Sequence, residues 1–387
     1  MPRTFRELGG RGKALALGVS ALLIAGLAVG TVVVARGSNG SSLPPPEPPG
    51  NPGGNPSAPA APAPARLPGA STWDNGVSSY VFGTNDTIDY GSASVNWLPS
   101  VQADLKQGGL TLMRVWGYDN MTDATIEQRM DATQNSGMHC MFMLGSTNDL
   151  KWMEHMVTML GSRCDIYEFG NEPDNGSTNP DGGQISTYTR YWISDVPALR
   201  ALNPKAVFGG PTLTWSANAD GSQGNYPSDM AYFLAKTAAA GVRADFITYH
   251  DYPCEKATSK AQCISMTPGD FEWNRDQVIG WENQYYGKAI PTGVSEYNFD
   301  PGTGNLYSWA GDGQFMFQWT QTAIHEIVTL HMAFANQFST LNYSAYGNLD
   351  MFDNTAPYGP KGQFYGVVAS VEKYGGPSTL TIPNPLP

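Results

Sequence analysis

Residues 165–174 read DIYEFGNEPD and join a short apolar stretch of strand character to an abrupt Gly-Asn-Glu-Pro ending. Proline cannot continue a central strand and forces the residue before it to be extended, so Glu172 is predicted at a strand's carboxyl end. Gly170 allows another backbone or a ligand to approach closely. Ligands bind at the carboxyl ends of parallel strands, so Glu172 becomes a candidate site residue. A surface loop with an ordinary glutamate is the alternative on this stretch alone.

A second strand ends in the same way. Residues 289–298 read AIPTGVSEYN and place Glu296 at a strand end three strands later. In a closed barrel, the ends of strands four and seven face each other across the mouth. Two carboxylates with different surroundings are what glycoside hydrolysis requires, one as acid and one as nucleophile or base.

The chain from about residue 71 alternates between strand-like and helix-like patterns. Eight strands separated by helices over about 300 residues predict an α/β fold, a single (β/α)8 TIM barrel over residues 72–387. A doubly wound open sheet is the alternative, although no glycine-rich phosphate loop follows the first strand. The predicted strands are 77–83, 110–116, 139–145, 165–170, 206–210, 245–250, 289–296 and 339–345.

Two of the intervening helices have recognisable ends. Asp149 is predicted to cap one that stops at Gly161, and Ser228 is predicted to cap another that stops at Gly241. The apolar spacing inside both segments follows one helical face. These ends support the alternation of strands and helices.

The amino-terminal 71 residues differ from the rest. Residues 14–35 form an uncharged run of 22 residues, preceded by four basic side chains and closely followed only by Arg36. This predicts residues 1–36 to be a cytoplasmic basic tail with a transmembrane anchor, or a signal peptide, and the anchor is favoured because the run is long. Residues 37–71 contain eleven prolines and predict an extended linker of on the order of 100 Å. Either interpretation puts the body outside the cytoplasm, with the membrane contacted only through this segment.

Charge and cysteine usage fit that location. The net charge is −12, and residues after 71 carry −16, so the body is a poor partner for nucleic acid. Of the four cysteines, Cys254 and Cys263 flank a short loop, whereas Cys140 and Cys164 begin neighbouring strands. An oxidising compartment makes both disulfides reasonable, and buried free thiols are the alternative.

Four motifs in the expected order resemble those of the retaining glycoside hydrolases of clan A. They are GNEP at 170–173, SEY at 295–297, MRVWG at 113–117 and HDY at 250–252. Together they span most of the chain after residue 71, and the barrel is similar to those of family 39 or family 5. Too little chain remains for the β-sandwich that several clan families carry beside the barrel.

The resemblance implies a role for each matched residue. Glu172 would be the acid/base, Glu296 the nucleophile and Asn171 the contact to the sugar 2-hydroxyl. Tyr252 would hydrogen-bond the nucleophile, and His250 would line the sugar site. The implied reaction is the hydrolysis of a β-linked poly- or oligosaccharide with retention.

The charges agree with these roles. Arg114, as the strand-two arginine, would favour the ionised form of Glu296, as a nucleophile needs. A nearby anion would raise the pKa of Glu172 so that it keeps its proton for the leaving oxygen. An ordinary ion pair in the barrel floor is the alternative for Arg114. No cofactor and no metal is expected, and the protein is predicted to be a monomer.

Aromatic residues would complete the sugar site. The clan usually ends strand eight with a tryptophan, whereas this chain offers Tyr343 and Tyr346. Trp116, Trp215 and Trp309 fall near strand ends or loops and could stack on sugar rings, with packing as the alternative. Two other functions also stay open. One is a carbohydrate-binding barrel without turnover, and the other is a transglycosylase.

Overall fold

A computed structural model describes residues 66–86, 98–175, 183–301, 305–341 and 349–381, with only the backbone given for 305–307. Its eight strands are all parallel and close into a barrel in sequence order. The predicted (β/α)8 barrel is therefore confirmed, and the open doubly wound sheet is excluded. The strands are β1 (Gly83–Asn85), β2 (Leu112–Gly117), β3 (His139–Leu144), β4 (Ile166–Phe169), β5 (Val207–Leu213), β6 (Phe246–Asp251), β7 (Thr292–Tyr297) and β8 (Ala335–Gln337).

Eight α-helices alternate with these strands in the described residues. They are α1 (Pro99–Gln107), α2 (Asp123–Asn135), α3 (Leu150–Leu160), α4 (Ile185–Leu202), α5 (Asp229–Ala240), α6 (Lys260–Tyr286), α7 (Gly313–Thr329) and α8 (Gly362–Lys373). Both predicted N-caps are formed: Asp149 accepts from the Trp152 N–H, and Ser228 accepts from the Ala231 N–H. Gly241 ends α5 in the left-handed conformation at φ 71°, which glycine adopts without strain.

Two of the predicted strands are misplaced. The apolar residues before β1 form a tight 3-10 turn at Ser79–Val81, where the Ser78 side chain accepts from the Tyr80 N–H. The first strand therefore begins only at Gly83 rather than at residue 77. The last strand is earlier than predicted and carries buried, hydrogen-bonded Asn336 and Gln337 instead of an apolar run.

The barrel interior changes character along its axis. An apolar cluster fills the amino-terminal end, with Leu112, Met141, Ile166, Phe246 and Phe334 among its members. One pleat further along, the inward positions become polar and charged. A larger hydrophobic core packs between the barrel and the helices. The apolar floor closes the barrel, so that the polar layer opens only toward the carboxyl ends of the strands.

Both expected disulfides are formed. Cys140 and Cys164 join the neighbouring strands β3 and β4, with Cα atoms 5.2 Å apart. Cys254 and Cys263 brace the loop that leads from β6 to α6, with Cα atoms 5.0 Å apart.

The amino-terminal predictions fall outside the description. Residues 14–35 and most of the proline-rich linker lie outside the described residues. Within the part of the chain that the structure describes, no helix combines the length and apolarity that a membrane span needs.

Candidate active site

The guanidinium of Arg114, fully buried at the third position of β2, organises the polar layer. Its Nε and Nη1 lie 2.5 Å from Glu168 Oε2 and from Glu296 Oε1, respectively. Nη1 also donates to Asn85 Oδ1 at 3.0 Å, and Nη2 donates to Asn171 Oδ1 at 2.7 Å. Burial acts to lower the pKa of Arg114, but the charges of Glu168 and Glu296 outweigh it and raise that pKa. The cation is thus fixed and orients both the carboxylate of Glu296 and the amide of Asn171.

Glu168 is a member of this layer that the sequence analysis missed. It is fully buried in β4, and Thr248 Oγ1 donates to its Oε1 at 3.0 Å. Ser295 Oγ lies 2.6 Å from the same threonine oxygen. Arg114 therefore has two carboxylate partners rather than the one that was expected. A charged residue in the middle of an apolar strand was the available signal.

Glu296 lies at the mouth of the barrel near the end of β7. Its Oε2 accepts a hydrogen bond from the Tyr252 hydroxyl at 2.9 Å. Its β6 neighbour in register is His250, whose Nδ1 lies 3.5 Å from Oε2. Donors from β2 and from the end of β6 thus surround the carboxylate, which is only 5% exposed. These donors fix the orientation of the carboxylate.

Glu172 lies three residues beyond the end of β4, in an unusual backbone conformation. The expectation that it is extended is wrong, since its φ is +46°. Its N–H donates to the carbonyl of Thr212 at 2.8 Å, and Thr212 itself has φ +58°. Asn175 Nδ2 donates to Glu172 Oε2 at 3.0 Å. Two residues in a sparsely populated conformation, bonded to each other at a strand end, are typical of functional sites.

The next residues tie this loop to β5. Asp174 accepts from the backbone N–H of Thr214 at 3.1 Å and from its hydroxyl at 2.6 Å. Asn218 Nδ2 donates to the same carboxylate at 2.7 Å. Three hydrogen bonds therefore hold the residue that comes two positions after Glu172.

The imidazole of His250 connects the two candidate glutamates. Its Nδ1 lies 2.9 Å from Glu172 Oε1, and the ring is fully buried. Burial acts to lower the pKa of His250, but the charge of Glu296 and the hydrogen bond and charge of Glu172 outweigh it and raise that pKa. Burial likewise acts to raise the pKa of Glu172, but His250, Asn175 and Arg114 outweigh it and lower that pKa. The expected raised pKa of Glu172 is therefore wrong for the free protein, because His250, Asn175 and Arg114 favour its ionised form.

The three side chains are close enough to act on one bond. Glu172, His250 and Glu296 each offer an atom within 4.8 Å of the others. The same three are the only such group in the described residues with a spacing that could hold a metal ion. The barrel mouth thus presents two carboxyl groups and an imidazole that face one another.

The predicted aromatic residues are distributed unevenly. Trp116 lines the layer beside Arg114, whose Cζ lies 5.5 Å from the indole centroid. The indole Nε1 of Trp116 donates to Asn85 Oδ1 at 3.3 Å. Tyr343 and Tyr346 lie outside the described residues. Trp215 is 44% exposed beyond the end of β5.

Solved structures with the same architecture are glycoside hydrolases. The chain superposes on a glucosidase from Croceicoccus marinus with a TM-score of 0.58 and 15% identity, over 80% of this chain and 69% of that one. A monomeric β-xylosidase from Caulobacter crescentus CB15 gives 0.54 and 14%, over 76% and 69% of the two chains. A family 51 α-L-arabinofuranosidase from Bifidobacterium longum gives 0.54 and 12%, over 78% and 74%.

The fold is shared with glycoside hydrolases. The resemblance to clan A barrels is thereby confirmed at the level of the fold. No family model matches the sequence, and no curated protein matches it. At these identities the superpositions establish architecture, so the activity has to be argued from the site.

Proposed function

We propose that the protein is a retaining glycoside hydrolase that cleaves a β-linked poly- or oligosaccharide. The observation that carries the proposal is the pair of Glu172 and Glu296 at the barrel mouth, where one carboxylate oxygen of each lies within 4.8 Å of the other. Retaining enzymes place their carboxyl groups about 5–5.5 Å apart, whereas inverting enzymes need roughly 6.5–9.5 Å to admit a water molecule. The short separation supports retention.

Glu296 is the nucleophile in this proposal. Arg114 and Tyr252 hold its two oxygens at 2.5 and 2.9 Å, so the carboxylate is oriented before substrate arrives. It attacks the anomeric carbon as the bond to the leaving oxygen breaks, and a covalent glycosyl ester forms. The NH2 group of Asn171 donates to the sugar 2-hydroxyl, because Arg114 already engages its carbonyl oxygen.

Glu172 is the acid and then the base. In the free protein the proton is held by the pair that Glu172 forms with His250, at a separation of 2.9 Å. When substrate excludes water, the proton passes from Nδ1 to Oε1 and then to the leaving oxygen. In the second step Glu172 takes a proton from water, which cleaves the ester with overall retention. His250 thus supplies the proton that a glutamate with a lowered pKa does not hold by itself.

Two other functions use the same residues. A carbohydrate-binding barrel without turnover is disfavoured by the intact arrangement of Glu172, Glu296, Asn171 and Arg114. A transglycosylase differs only in passing the glycosyl group to a sugar instead of water, and product analysis on polysaccharides separates the two.

Aryl β-glucosides and β-xylosides test the proposal, a choice supported by the activities in the neighbours' names. Glu296→Ala should abolish turnover of every substrate, because no ester can form. Glu172→Ala should slow phenyl glycosides far more than dinitrophenyl glycosides, and azide should restore its rate by replacing the deprotonated water. Glu127→Ala is the matched control, since this half-exposed glutamate of α2 pairs with Arg163. Full activity of Glu296→Ala would overturn the proposal.

The enzyme acts outside the cytoplasm, as an anchored or secreted protein. Two disulfides support this location, because they persist in oxidising compartments. Deleting residues 1–36 should release a folded barrel from the membrane fraction. Recovery of the full-length protein from the cytosol would contradict the proposed location.

A further inference from the structure

Two tryptophans are stacked on each other at the surface. Trp215, in the loop after β5, and Trp273, on α6, have ring centroids 5.5 Å apart and planes inclined by 18°. They are 44% and 45% exposed, and Leu202 is the only other large hydrophobic side chain so exposed in the described residues. The cost of leaving two indoles in water calls for an explanation beyond packing.

This tryptophan pair lies on the active-site side of the barrel. Trp215 directly follows Thr214, which is bonded to Asp174 in the loop that carries Glu172. The next residue, Ser216, donates to Asn274 Oδ1 at 2.5 Å, and Asn274 neighbours Trp273. Hydrogen bonds of the neighbouring residues therefore tie the two segments that carry the indoles to the acid/base loop.

The same contacts reach β6. Asn274 Nδ2 donates to Asp251 Oδ2 at 3.2 Å, and Asp251 is the last residue of β6 and lies between His250 and Tyr252 in sequence. The tryptophan pair is thus linked to β5 and β6, the two strands whose ends lie next to Glu172. A rigid aromatic surface at this position costs little ordering when a ligand stacks on it.

We propose that the tryptophan pair is an accessory sugar-binding platform, on which the chain of a neutral polysaccharide stacks outside the catalytic subsite. The inference rests on the proposed function, because it takes the ligand class from it. The apolar C–H face of a pyranose stacks on an indole while its hydroxyls stay hydrated. A body carrying −16 beyond residue 71 disfavours acidic polymers, which leaves uncharged glycans.

A protein partner fits the pair less well. Two side chains offer far less area than the roughly 1,000 Å² that a stable protein interface needs. Their position beside the acid/base loop instead matches a polymer that continues beyond the cleaved bond. A second copy of the chain remains an outcome that the test must detect.

Binding is measured by affinity electrophoresis in gels containing xylan, hydroxyethyl cellulose or arabinan, with polygalacturonate as the charged comparison. Glu296→Gln serves as the parent, so that no substrate is cleaved. Trp215→Ala or Trp273→Ala should raise the apparent Kd for at least one neutral polymer by about tenfold. Trp215→Phe should recover part of the affinity, because it keeps an aromatic face.

Leu202→Ala is the matched control, because it removes an equally exposed apolar side chain at the opposite end of the barrel, where α4 leads into β5. It should leave every mobility unchanged. Sedimentation of the same variants reports whether the pair joins two copies instead. In otherwise wild-type protein, the ratio of kcat/KM on the polymer to that on an aryl glycoside should fall in the tryptophan variants.

The outcomes separate this inference from the proposed function. If the protein hydrolyses glycosides but the tryptophan variants bind the polymers as well as Leu202→Ala does, the platform is overturned and the hydrolase stands. Tryptophan-dependent binding without turnover of any glycoside supports the platform and overturns the hydrolase. Failure of all neutral polymers to bind, preferred binding of polygalacturonate, or a change in oligomeric state alone overturns the platform.

Discussion

His250 Nδ1 lies 2.9 Å from Glu172 Oε1, so the proposed acid and a fully buried imidazole form one hydrogen-bonded pair. This pairing has a consequence for the pH profile. Because Glu296 and Glu172 raise the pKa of His250 against the effect of burial, the pair keeps its last proton to a pH above the ordinary histidine value of about 6.5. Activity should be lost as the pH rises through that raised pKa.

His250→Asn should therefore move the basic limb of kcat/KM, since Glu172 alone then holds the proton and its pKa is no longer lowered by His250 against the effect of burial. His139→Asn is the matched control, because His139 also pairs with a carboxylate, Asp165 at 2.7 Å, but lies at the amino end of β3. Its basic limb should stay in place. A limb that does not move in His250→Asn would mean that the histidine does not hold the catalytic proton.

Asp174 is expected to position the acid/base through the Thr214 and Asn218 contacts described above. Asp174→Ala should lower kcat/KM on phenyl glycosides by about 10- to 100-fold, the cost of a displacement on the order of 1 Å. The loss should be smaller on dinitrophenyl glycosides, whose departure needs no proton. Asp131→Ala, which removes an exposed partner of Arg163, is the control. Equal losses on both substrates would assign Asp174 to general stability instead.

The fold and the site were predictable to different depths. Glu172 and Glu296 stood out because Gly170, Pro173 and the strand pattern mark the ends of β4 and β7 locally. The pairing of His250 with Glu172 joins residues 78 positions apart, and the period of a strand does not reveal it. Glu168 was not predicted as a site residue, because the sequence pattern of an apolar strand does not indicate which of its residues contacts a buried arginine.

The positions of β1 and β8 were also beyond the sequence pattern. Both strands have only three residues, and β8 carries amides whose hydrogen bonds come from distant parts of the chain. Backbone strain at Glu172 was hidden for a related reason. The rule for residues before proline predicts an extended backbone, whereas the hydrogen bond to Thr212 belongs to the closed barrel.

Glu282 is expected to make stability depend on pH without affecting the site. Burial raises its pKa to about 7, against hydrogen bonds from Thr292 Oγ1 and the Ile290 N–H. The folded state therefore holds a proton that the unfolded chain releases near pH 4.5, so stability should fall as the pH rises from there to about 7. The free energy of unfolding is measured by chemical unfolding across this pH range. Glu282→Gln should lack a loss of stability on the order of 3 kcal/mol that the wild-type protein shows. Parallel pH profiles of the two proteins would refute the assignment.

The anomeric configuration of the first-formed product tests the central claim most directly. It is followed by proton NMR immediately after wild-type enzyme is mixed with an aryl β-glycoside that it cleaves, before mutarotation. Double displacement at Glu296 predicts the β-anomer first, with the α-anomer growing only at the mutarotation rate. The α-anomer as the first product would mean that water attacks directly, and would contradict the assignment of Glu172 and Glu296 as a retaining pair.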